Sequence, residues 1–232
     1  MTDVYPMRIN KYLAHRGIAT RKDADTLIKR GLVSINGRKA VLGDKVMVND
    51  AVQVKGAQKK FRYFAYNKPV GVITHSPQLG EKDIATSTKL EGAFPVGRLD
   101  KASHGLIILT DDARITDRLL SPSYDHDKEY MVVARQELPR DFKKRMEKGV
   151  RIDSYMTKKC EVEVTGPKSF RIKLTEGKKH QIRRMCAALR LDVEDLERRR
   201  IMNIKLGQLP IGAHRPIEGD ELKQFLRALK LS

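Results

Sequence analysis

The spacing of apolar residues near the start of the chain predicts a short amphipathic helix. Over residues 7–18, Ile9, Leu13 and Ala14 recur at the three- and four-residue intervals that put them on one helical face. Gly17 follows the last of them and is suited to end a helix, because glycine adopts the left-handed conformation common at helix C-termini. The pattern therefore predicts one helix that ends at Gly17.

A second helix and a β-hairpin follow directly. Thr20 is a residue type that caps helix N-termini, Asp23 lies in the predicted first turn, and Gly31 ends the pattern. In "LVSINGRKA", the pair Asn36-Gly37 stands between two strand-like runs and predicts a type I′ turn. The segment "GDKVMVNDAVQV" adds a further turn and strand. Together these elements predict a small module of about 50 residues.

The rest of the chain alternates strand and helix patterns without an internal repeat. Because the order is mixed and not strictly strand–helix–strand, we expect an α+β fold built on a mostly antiparallel sheet with flanking helices. The predicted strands are "FRYFAYNK", "AFPVGRL", "LIILT", "YMVVA", "CEVEV" and "FRIKL"; the predicted helices are "LPRDFKKRMEKGV" and the segments that carry the apolar stripes Ile182, Met185, Cys186, Leu189 and Leu222, Phe225, Leu226, Leu229.

Charge identifies the class of partner. The 232 residues carry a formal net charge of +18, which favours a polyanion such as nucleic acid. Residues 1–62 hold 14 Lys and Arg against 5 Asp and Glu, so about a quarter of the chain carries half of the excess charge. An anionic membrane surface is the main competitor, but no amphipathic helix with a broad apolar face supports it.

Several classes of chemistry have no sequence support. The chain has no GxGxxG after a strand, no GxxxxGK[ST], no HExxH and no paired-cysteine metal motif, so we expect neither a cofactor nor a metal. The two cysteines, Cys160 and Cys186, are far apart and favour free thiols. The N-terminus lacks the pattern of a secretory signal, and no apolar run is long enough to span a membrane. These features predict a cytoplasmic protein.

One acidic residue stands out in this basic chain. Asp100, in "GRLDKASHGLIILT", lies in a predicted loop between two strands, with Gly105 expected to close the turn. A carboxylate that faces a polyanion is repelled, so its presence indicates a chemical role, although a turn-capping role is the common one for a loop aspartate. A nearby guanidinium would keep it ionised, and "EGKKHQIRRM" supplies Arg183 and Arg184 at a predicted helix start.

The N-terminal module resembles a known RNA-binding domain. The run "RINKYLAHRGIATRKDADTLIKRGLVSINGRKA" is similar to the alpha-L domain, which also occurs in the small-subunit ribosomal protein S-four. The resemblance implies that this module binds RNA and carries no chemistry. The cations expected to contact RNA are Arg8, Lys11, Arg16, Arg21, Lys22, Arg30 and Arg38.

The rest of the chain resembles the RsuA-type bacterial ribosomal RNA pseudouridine synthases. The similarity is carried by "GRLD", "SxGLxxLT", "KEYMV" and "HQIRRM" behind an alpha-L domain, and "TKKCEV" and "RIMNI" are most similar to the RluF branch, which modifies large-subunit ribosomal RNA. It implies a small α/β RNA-binding domain over residues 1–55, a linker over 56–62 and a synthase domain over 63–232. It also implies isomerisation of a flipped-out uridine, in which the base detaches at nitrogen, rotates and reattaches through carbon.

The resemblance also implies roles for single residues. Asp100 corresponds to the catalytic aspartate, Arg183 to the arginine that pairs with it, and Tyr130 to a tyrosine that stacks on the uracil. Leu196 corresponds to an apolar residue on the other face of the base, and Arg98 is a candidate to fill the gap left in the RNA. Lys101 and Arg184, the basic residues next to Asp100 and Arg183, are also expected to bind the substrate.

Two other functions remain open at this point. A non-catalytic RNA-binding ribosome-assembly factor would use the basic surface alone, although it would be free to lose Asp100, Tyr130 and Arg183. An RNA methyltransferase is weaker, because no glycine-rich cofactor loop is visible. We expect a monomer that acts on ribosomal RNA, large-subunit RNA above all, with transfer RNA as a further possible substrate.

Overall fold

The computed structural model describes residues 4–56, 60–121 and 124–231. Contacts between Cα atoms divide the chain into two compact units. The first comprises residues 1–61, 112–115 and 226–232, and the second comprises residues 62–111 and 116–225. Residues 57–59 of the expected linker lie outside the described residues.

The first unit contains the two helices and the hairpin that the sequence predicts. Its described elements are β1 (Met7–Arg8), α1 (Ile9–His15), α2 (Arg21–Lys29), β2 (Val33–Ile35), β3 (Arg38–Lys39), β4 (Lys45–Val46) and β5 (Val52–Val54). β1 pairs with β4, and β3, β2 and β5 form an antiparallel sheet in that order. Ile9, Leu13, Ile28 and Val33 belong to the core between helices and strands.

Local sequence signals account for most of these boundaries. The Thr20 hydroxyl accepts a hydrogen bond from the Asp23 N–H and caps α2. Asn36 and Gly37 have φ angles of 51° and 80°, as a type I′ turn requires at both central residues. The first helix begins at Ile9, two residues later than predicted, because Met7 and Arg8 pair with Val46 and Lys45.

The second unit is built around one large sheet. Its described strands are β6 (Tyr63–Lys68), β7 (Phe94–Val96), β8 (His104–Thr110), β9 (Lys128–Ala134), β10 (Arg151–Ile152), β11 (Tyr155–Met156), β12 (Glu161–Gly166), β13 (Ser169–Leu174), β14 (Val193–Ile201), β15 (Ile204–Lys205) and β16 (His214–Pro216). The order of hydrogen-bonded strands across the sheet is β12-β13-β9-β14-β8-β6-β16. In addition, β7 pairs with β8 and β15 pairs with β14. Every described pair is antiparallel except β8 with β14.

Helices flank this sheet, which confirms the expected α+β class. The described helices are α3 (Ile84–Thr88), α4 (Arg114–Leu120), α5 (Phe142–Glu147), α6 (Gln181–Ala188) and α7 (Gly219–Ala228), of which α4 and α7 extend into the first unit. The stripe Ile182, Met185, Cys186 and Leu189 is buried in a core with Phe142 and Met146 of α5. Among the described residues, no helix is long and apolar enough to cross a membrane.

Two local predictions need correction. Helix α5 begins at Phe142 and not near Pro139, since residues 139–141 form a turn in which the Phe142 N–H bonds to the Pro139 carbonyl. Gly105 lies inside β8 and does not close the turn.

Candidate active site

The loop between β7 and β8 carries Asp100 and is held by hydrogen bonds to its backbone carbonyls. Each main-chain carbonyl of residues 98–102 accepts one hydrogen bond. Side chains donate three of these bonds: Arg198 Nη1 to the Arg98 carbonyl (3.3 Å), Thr74 Oγ1 to that of Leu99 (2.8 Å) and Arg183 Nη2 to that of Ala102 (2.9 Å). Main-chain N–H groups donate the other two, from Ser103 to the Asp100 carbonyl (3.0 Å) and from Gly71 to the Lys101 carbonyl (2.8 Å). Five consecutive bonds fix the loop's path, although loops are usually the more mobile part of a fold.

Thr74 contributes twice to this arrangement. Its hydroxyl donates to the Leu99 carbonyl and also accepts from the Leu99 N–H, at 2.8 and 3.1 Å. Leu99 itself is buried, so one side chain satisfies both main-chain groups of a residue that water cannot reach. The residue next to Asp100 is thus anchored on both sides.

The Asp100 carboxylate remains accessible within this fixed loop. Its side chain is 34% exposed, and its Oδ1 lies 3.4 Å from Nε2 of His180. His180 is the N-cap residue of α6 and has φ of 52°, a left-handed conformation that is uncommon for residues other than glycine. Its side chain does not cap the helix and instead lies against Asp100. The start of α6 therefore brings a titratable ring to the carboxylate.

Arg183 lies next to the Asp100 loop, but its contacts differ from those expected. Its guanidinium donates to the carbonyls of Ala102 and Val193, both at 2.9 Å, and no ion pair within 4.0 Å joins it to Asp100 among the described residues. Its Nε is buried and lacks a hydrogen-bond partner in the described part of the chain. In this structure Arg183 positions the loop that carries Asp100, and the expected direct pair is replaced by the His180 contact.

Buried cations that sequence reasoning missed surround this site. Lys68 is fully buried at the end of β6 and donates to the Pro69 and Val72 carbonyls, at 2.9 and 2.8 Å. Arg198 of β14 is 3% exposed and donates from Nε to the Leu106 carbonyl at 2.6 Å, while its Nη2 is buried without a partner among the described residues.

Two lysines in this region have pKa values that are lowered by burial first and by neighbouring positive charge second. Burial, with the repulsion of Arg198 second, lowers the pKa of Lys68 to about 8, while Asp100 opposes the shift. Burial and Arg198 also lower the pKa of Lys128 in β9 to about 8. Asp100 therefore lies close to buried positive charge, near enough to Lys68 to influence the pKa of that lysine.

Strand register places the expected base-contacting residues on one face of the sheet. Tyr130 in β9 pairs with Arg198 in β14, and Leu196 pairs with Val132. Paired residues and residues two apart on a strand share a face, so Tyr130, Leu196 and Arg198 project to the same side. Tyr130 is half-buried against the core that contains Leu196, which is 5% exposed.

Of the other predicted substrate residues, one is exposed and two form ion pairs with carboxylates. Arg98 is exposed on the Asp100 loop. Lys101 forms an ion pair with Glu81 at 2.7 Å, which lowers the pKa of Glu81. Arg184 pairs with Asp153 in the β10–β11 turn and also donates to the Lys179 carbonyl. The charges of Lys101 and Arg184 are thus already partly compensated.

A buried carboxylate organises the segment that leads into α6. Glu176 accepts hydrogen bonds from the Tyr155 hydroxyl, from Gln181 Nε2 at 2.6 Å and from the Lys158 N–H at 2.9 Å. Gln181 in turn accepts from the Lys178 N–H at 2.9 Å. These bonds hold the segment before α6 against the β10–β11 hairpin. They therefore fix the start of α6 and with it the positions of His180 and Arg183.

In the first unit, all seven cations predicted to contact RNA are exposed. Arg38 is paired with Asp44 at 2.8 Å, and Arg16 lies over the Tyr12 ring at 5.4 Å. The exposed set is Arg8, Lys11, Arg16, Arg21, Lys22, Arg30 and Arg38.

The remaining chemistry of the described residues is sparse. No group of three or more His, Cys, Asp or Glu residues is placed to hold a metal in the part of the chain that the structure describes. Cys160 and Cys186 are free thiols, as expected, and burial raises the pKa of each to about 12. Neither cysteine is poised as a nucleophile, because the reactive form is the thiolate.

Comparison with known proteins decides the family. Residues 62–188 match the family model of RNA pseudouridylate synthases, and residues 7–52 match that of the S4 domain. The chain belongs to the RNA pseudouridylate synthase family. This confirms the resemblance drawn from "GRLD" and "HQIRRM" and the order of an RNA-binding module followed by a synthase domain.

Curated relatives and a solved structure agree with this membership. The synthase is 38% identical over 97% of its length to the dual-specificity RNA pseudouridine synthase RluF of Escherichia coli K12, of which it covers 80%. It is 32% identical to the ribosomal large subunit pseudouridine synthase B of Bacillus subtilis, with 96% of each chain covered. A solved crystal structure of a pseudouridylate synthase matches with a TM-score of 0.69 and 25% identity, covering 96% of this synthase and 99% of that chain.

Proposed function

We propose that this synthase isomerises a specific uridine of large-subunit ribosomal RNA to pseudouridine. Two of its relatives support this substrate: one is named a ribosomal large subunit pseudouridine synthase and another is named RluF. The latter's name also states a dual specificity, so a second RNA such as transfer RNA belongs to the proposal. The comparisons give no support to a non-catalytic assembly factor.

The observation that carries the proposal is the rigid presentation of one carboxylate. Asp100 is a partly exposed carboxylate on a loop with five consecutive hydrogen-bonded carbonyls, and buried Lys68 and Arg198 keep the surroundings positive. A carboxylate held in this way is aligned before the substrate arrives, as a nucleophile or base requires.

We assign the remaining roles from the geometry. Asp100 attacks or abstracts a proton while the base detaches from the sugar, rotates and reattaches through carbon. Tyr130 and Leu196, on one face of the sheet, flank the flipped-out uracil, and Arg183 holds the Asp100 loop. Arg98, Lys101 and Arg184 lie at the rim of the site and contact the RNA.

We also propose a division of labour along the chain. Residues 1–55 anchor the RNA through exposed cations, residues 56–62 connect the two parts, and residues 63–232 carry the chemistry. The protein works as a monomer in the cytoplasm, where bacterial ribosomal RNA is modified.

Substituting Asp100 tests the catalytic assignment. Asp100→Asn is nearly isosteric but supplies neither a nucleophile nor a base, so we expect pseudouridine formation to fall by at least about 10³-fold, in the range of lost covalent or acid–base catalysis. RNA affinity should stay within about twofold, because binding rests on many cationic contacts.

The measurement is pseudouridine mapping in ribosomal RNA after incubation with purified protein. Glu194→Gln is a matched control, since Glu194 is an exposed carboxylate on β14 and its loss changes the net charge equally. Appreciable isomerisation by the Asp100→Asn protein would remove Asp100 from the mechanism.

A further inference from the structure

A second basic surface lies on the synthase unit, on the outer side of α5. Its residues line an open groove of about 480 Å³, and we call them the α5 patch: Arg140, Lys143, Lys144, Glu147, Lys148 and Lys159. Five of the six are cations and all five are exposed. The opposite side of α5 is buried through Phe142 and Met146, so the charged side of the helix has a fixed orientation.

The cations of the α5 patch are clustered and are little compensated by carboxylates. Six cations elsewhere on this unit each form an ion pair: Lys101–Glu81, Lys158–Asp125, Arg171–Glu163, Lys173–Glu161, Arg199–Glu197 and Arg215–Glu221. In the α5 patch, only Lys143 has a carboxylate within 4.0 Å among the described residues, and that contact to Glu147 is long, at 3.9 Å.

The one acidic residue of the patch is already engaged by the fold. Glu147 Oε1 accepts a hydrogen bond from the Val162 N–H at 3.1 Å, and the Glu147 carbonyl accepts from the Cys160 N–H. Glu147 therefore ties α5 to the strand β12, and its charge offsets only one of five cations. Like charges gathered around one groove repel each other, and a bound polyanion relieves that repulsion.

We propose that the α5 patch binds phosphates of the RNA substrate, as a contact surface separate from the Asp100 site. The inference rests on the proposed function, because RNA is the polyanion that a pseudouridine synthase must hold. The groove is open and its lining has no buried polar group, which suits a phosphodiester backbone lying across it. The apolar side of α5 is in the core, which excludes insertion into a lipid surface.

The patch also shares a core with the helix that positions the catalytic loop. Phe142 and Met146 of α5 pack in the same cluster as Ile182 and Met185 of α6, and α6 carries Arg183. RNA bound across α5 is thus held by the same rigid body that presents the active site. We expect the patch to affect affinity and placement, with no part in the chemical step.

A triple substitution tests the proposal. In the full chain, Lys143→Gln, Lys144→Gln and Lys148→Gln remove three patch charges and keep residues that favour helix. The matched control is Lys82→Gln, Lys168→Gln and Lys205→Gln, which removes three exposed cations from separate places on the same unit. Thermal unfolding checks that both variants remain folded.

The readout is affinity for large-subunit ribosomal RNA transcribed in vitro, measured as a function of salt. We expect the patch variant to bind about 10- to 100-fold more weakly at low salt and to lose about two units from the slope of log K against log salt, because each lost phosphate contact removes about 0.7–0.9 units. The single-turnover rate at saturating RNA should stay within about twofold of wild type.

Two results would overturn the proposal. Equal losses of slope in the patch and control variants would mean that net charge alone matters, and a lower saturating rate with intact affinity would place α5 in the chemistry. The proposed function is tested by a separate result: it fails if the wild-type protein forms no pseudouridine in this RNA. In that case the salt dependence of binding can still be measured, and it still decides whether the patch contacts phosphates.

Discussion

At the scale of single residues, the charge environment of Asp100 is set by buried cations. Lys68 is fully buried and keeps only main-chain carbonyls as hydrogen-bond partners among the described residues. Burial lowers its pKa most, Arg198 lowers it further, and Asp100 raises it. A buried lysine without a carboxylate partner costs stability when it is charged. This buried charge lies close enough to Asp100 for the two groups to interact, and Asp100 is the carboxylate that we propose to carry the chemistry.

The buried charge of Lys68 predicts a pH dependence of stability. Its pKa is lowered to about 8 in the folded protein, from 10.5 in the unfolded chain. Between these values the unfolded chain binds more protons, so the Lys68 contribution to stability is unfavourable below about pH 8 and improves as the pH rises. A Lys68→Met variant lacks this improvement.

Urea unfolding at pH 8 and pH 9.5 measures the effect. We expect the free energy of unfolding of wild type to improve relative to Lys68→Met by about 1.5 kcal/mol between these pH values. The two states differ by roughly three quarters of a proton over this range, and a full proton difference is worth about 1.4 kcal/mol per pH unit. The exposed-site control Lys82→Met should show no such change. A constant difference between wild type and Lys68→Met would mean that Lys68 titrates normally.

At the scale of elements, the pairing of β8 with β14 connects the sheet to the active-site loop. It is the parallel pair of the described sheet and joins Glu197 to His104 and Arg198 to Gly105. His104 at the start of β8 also contacts Asp195 through Nε2 at 2.9 Å. The pairing brings the Arg198 side chain to the carbonyls of Leu106 and Arg98, so the strand register determines where the loop lies.

Gly105 allows this close approach. Its φ is 103°, and a Cβ atom at this position would lie 2.4 Å from the Arg198 carbonyl oxygen and 2.7 Å from its nitrogen. Gly105→Ala should therefore force the strands apart and destabilise the protein by about 2–4 kcal/mol, and it should also lower turnover because Arg198 moves from the loop.

The comparison is with Gly177→Ala, where the backbone is not strained and the added Cβ meets nothing within 4 Å. Chemical unfolding gives the stabilities, and a single-turnover assay gives the rates. If the two alanine variants were equally stable and active, the close contact of β8 and β14 would not constrain the site.

At the scale of the whole molecule, positive charge is densest in a part of the chain that lies outside the proposed catalytic residues. Residues 1–62 carry a net +9 and contain none of the proposed catalytic residues. Removing residues 1–62 would not isolate the synthase, because the first compact unit also contains residues 112–115 and 226–232. Neutralising charges in the intact protein is the cleaner test.

We expect Lys11→Gln, Arg21→Gln and Lys22→Gln together to weaken RNA binding about 10- to 100-fold at low salt and to flatten its salt dependence by about two units. These side chains are exposed, so stability should change little. Saturating RNA should restore the single-turnover rate. The control is the three-charge variant Lys82→Gln, Lys168→Gln and Lys205→Gln. If both variants bound RNA with the affinity of wild type, the N-terminal charge would not be the anchor.

The sequence alone determined the features that depend on neighbouring residues. The cap at Thr20, the turn at Asn36-Gly37 and the apolar stripe of α6 follow from interactions within a few positions, and each was predicted correctly. The motifs around Asp100 and Arg183 likewise indicated the family and the residues to look at. The identity of the chemistry was thus readable from short segments.

Only the tertiary structure decided what surrounds Asp100. Arg198 reaches Leu106 and Arg98 across 92 and 100 positions of sequence, and Arg183 reaches Ala102 across 81. Such contacts depend on strand order and register, which local propensity does not specify. The burial of Lys68 could likewise not be predicted from the sequence, because lysines are mostly exposed and this one is buried by the strands packed around it.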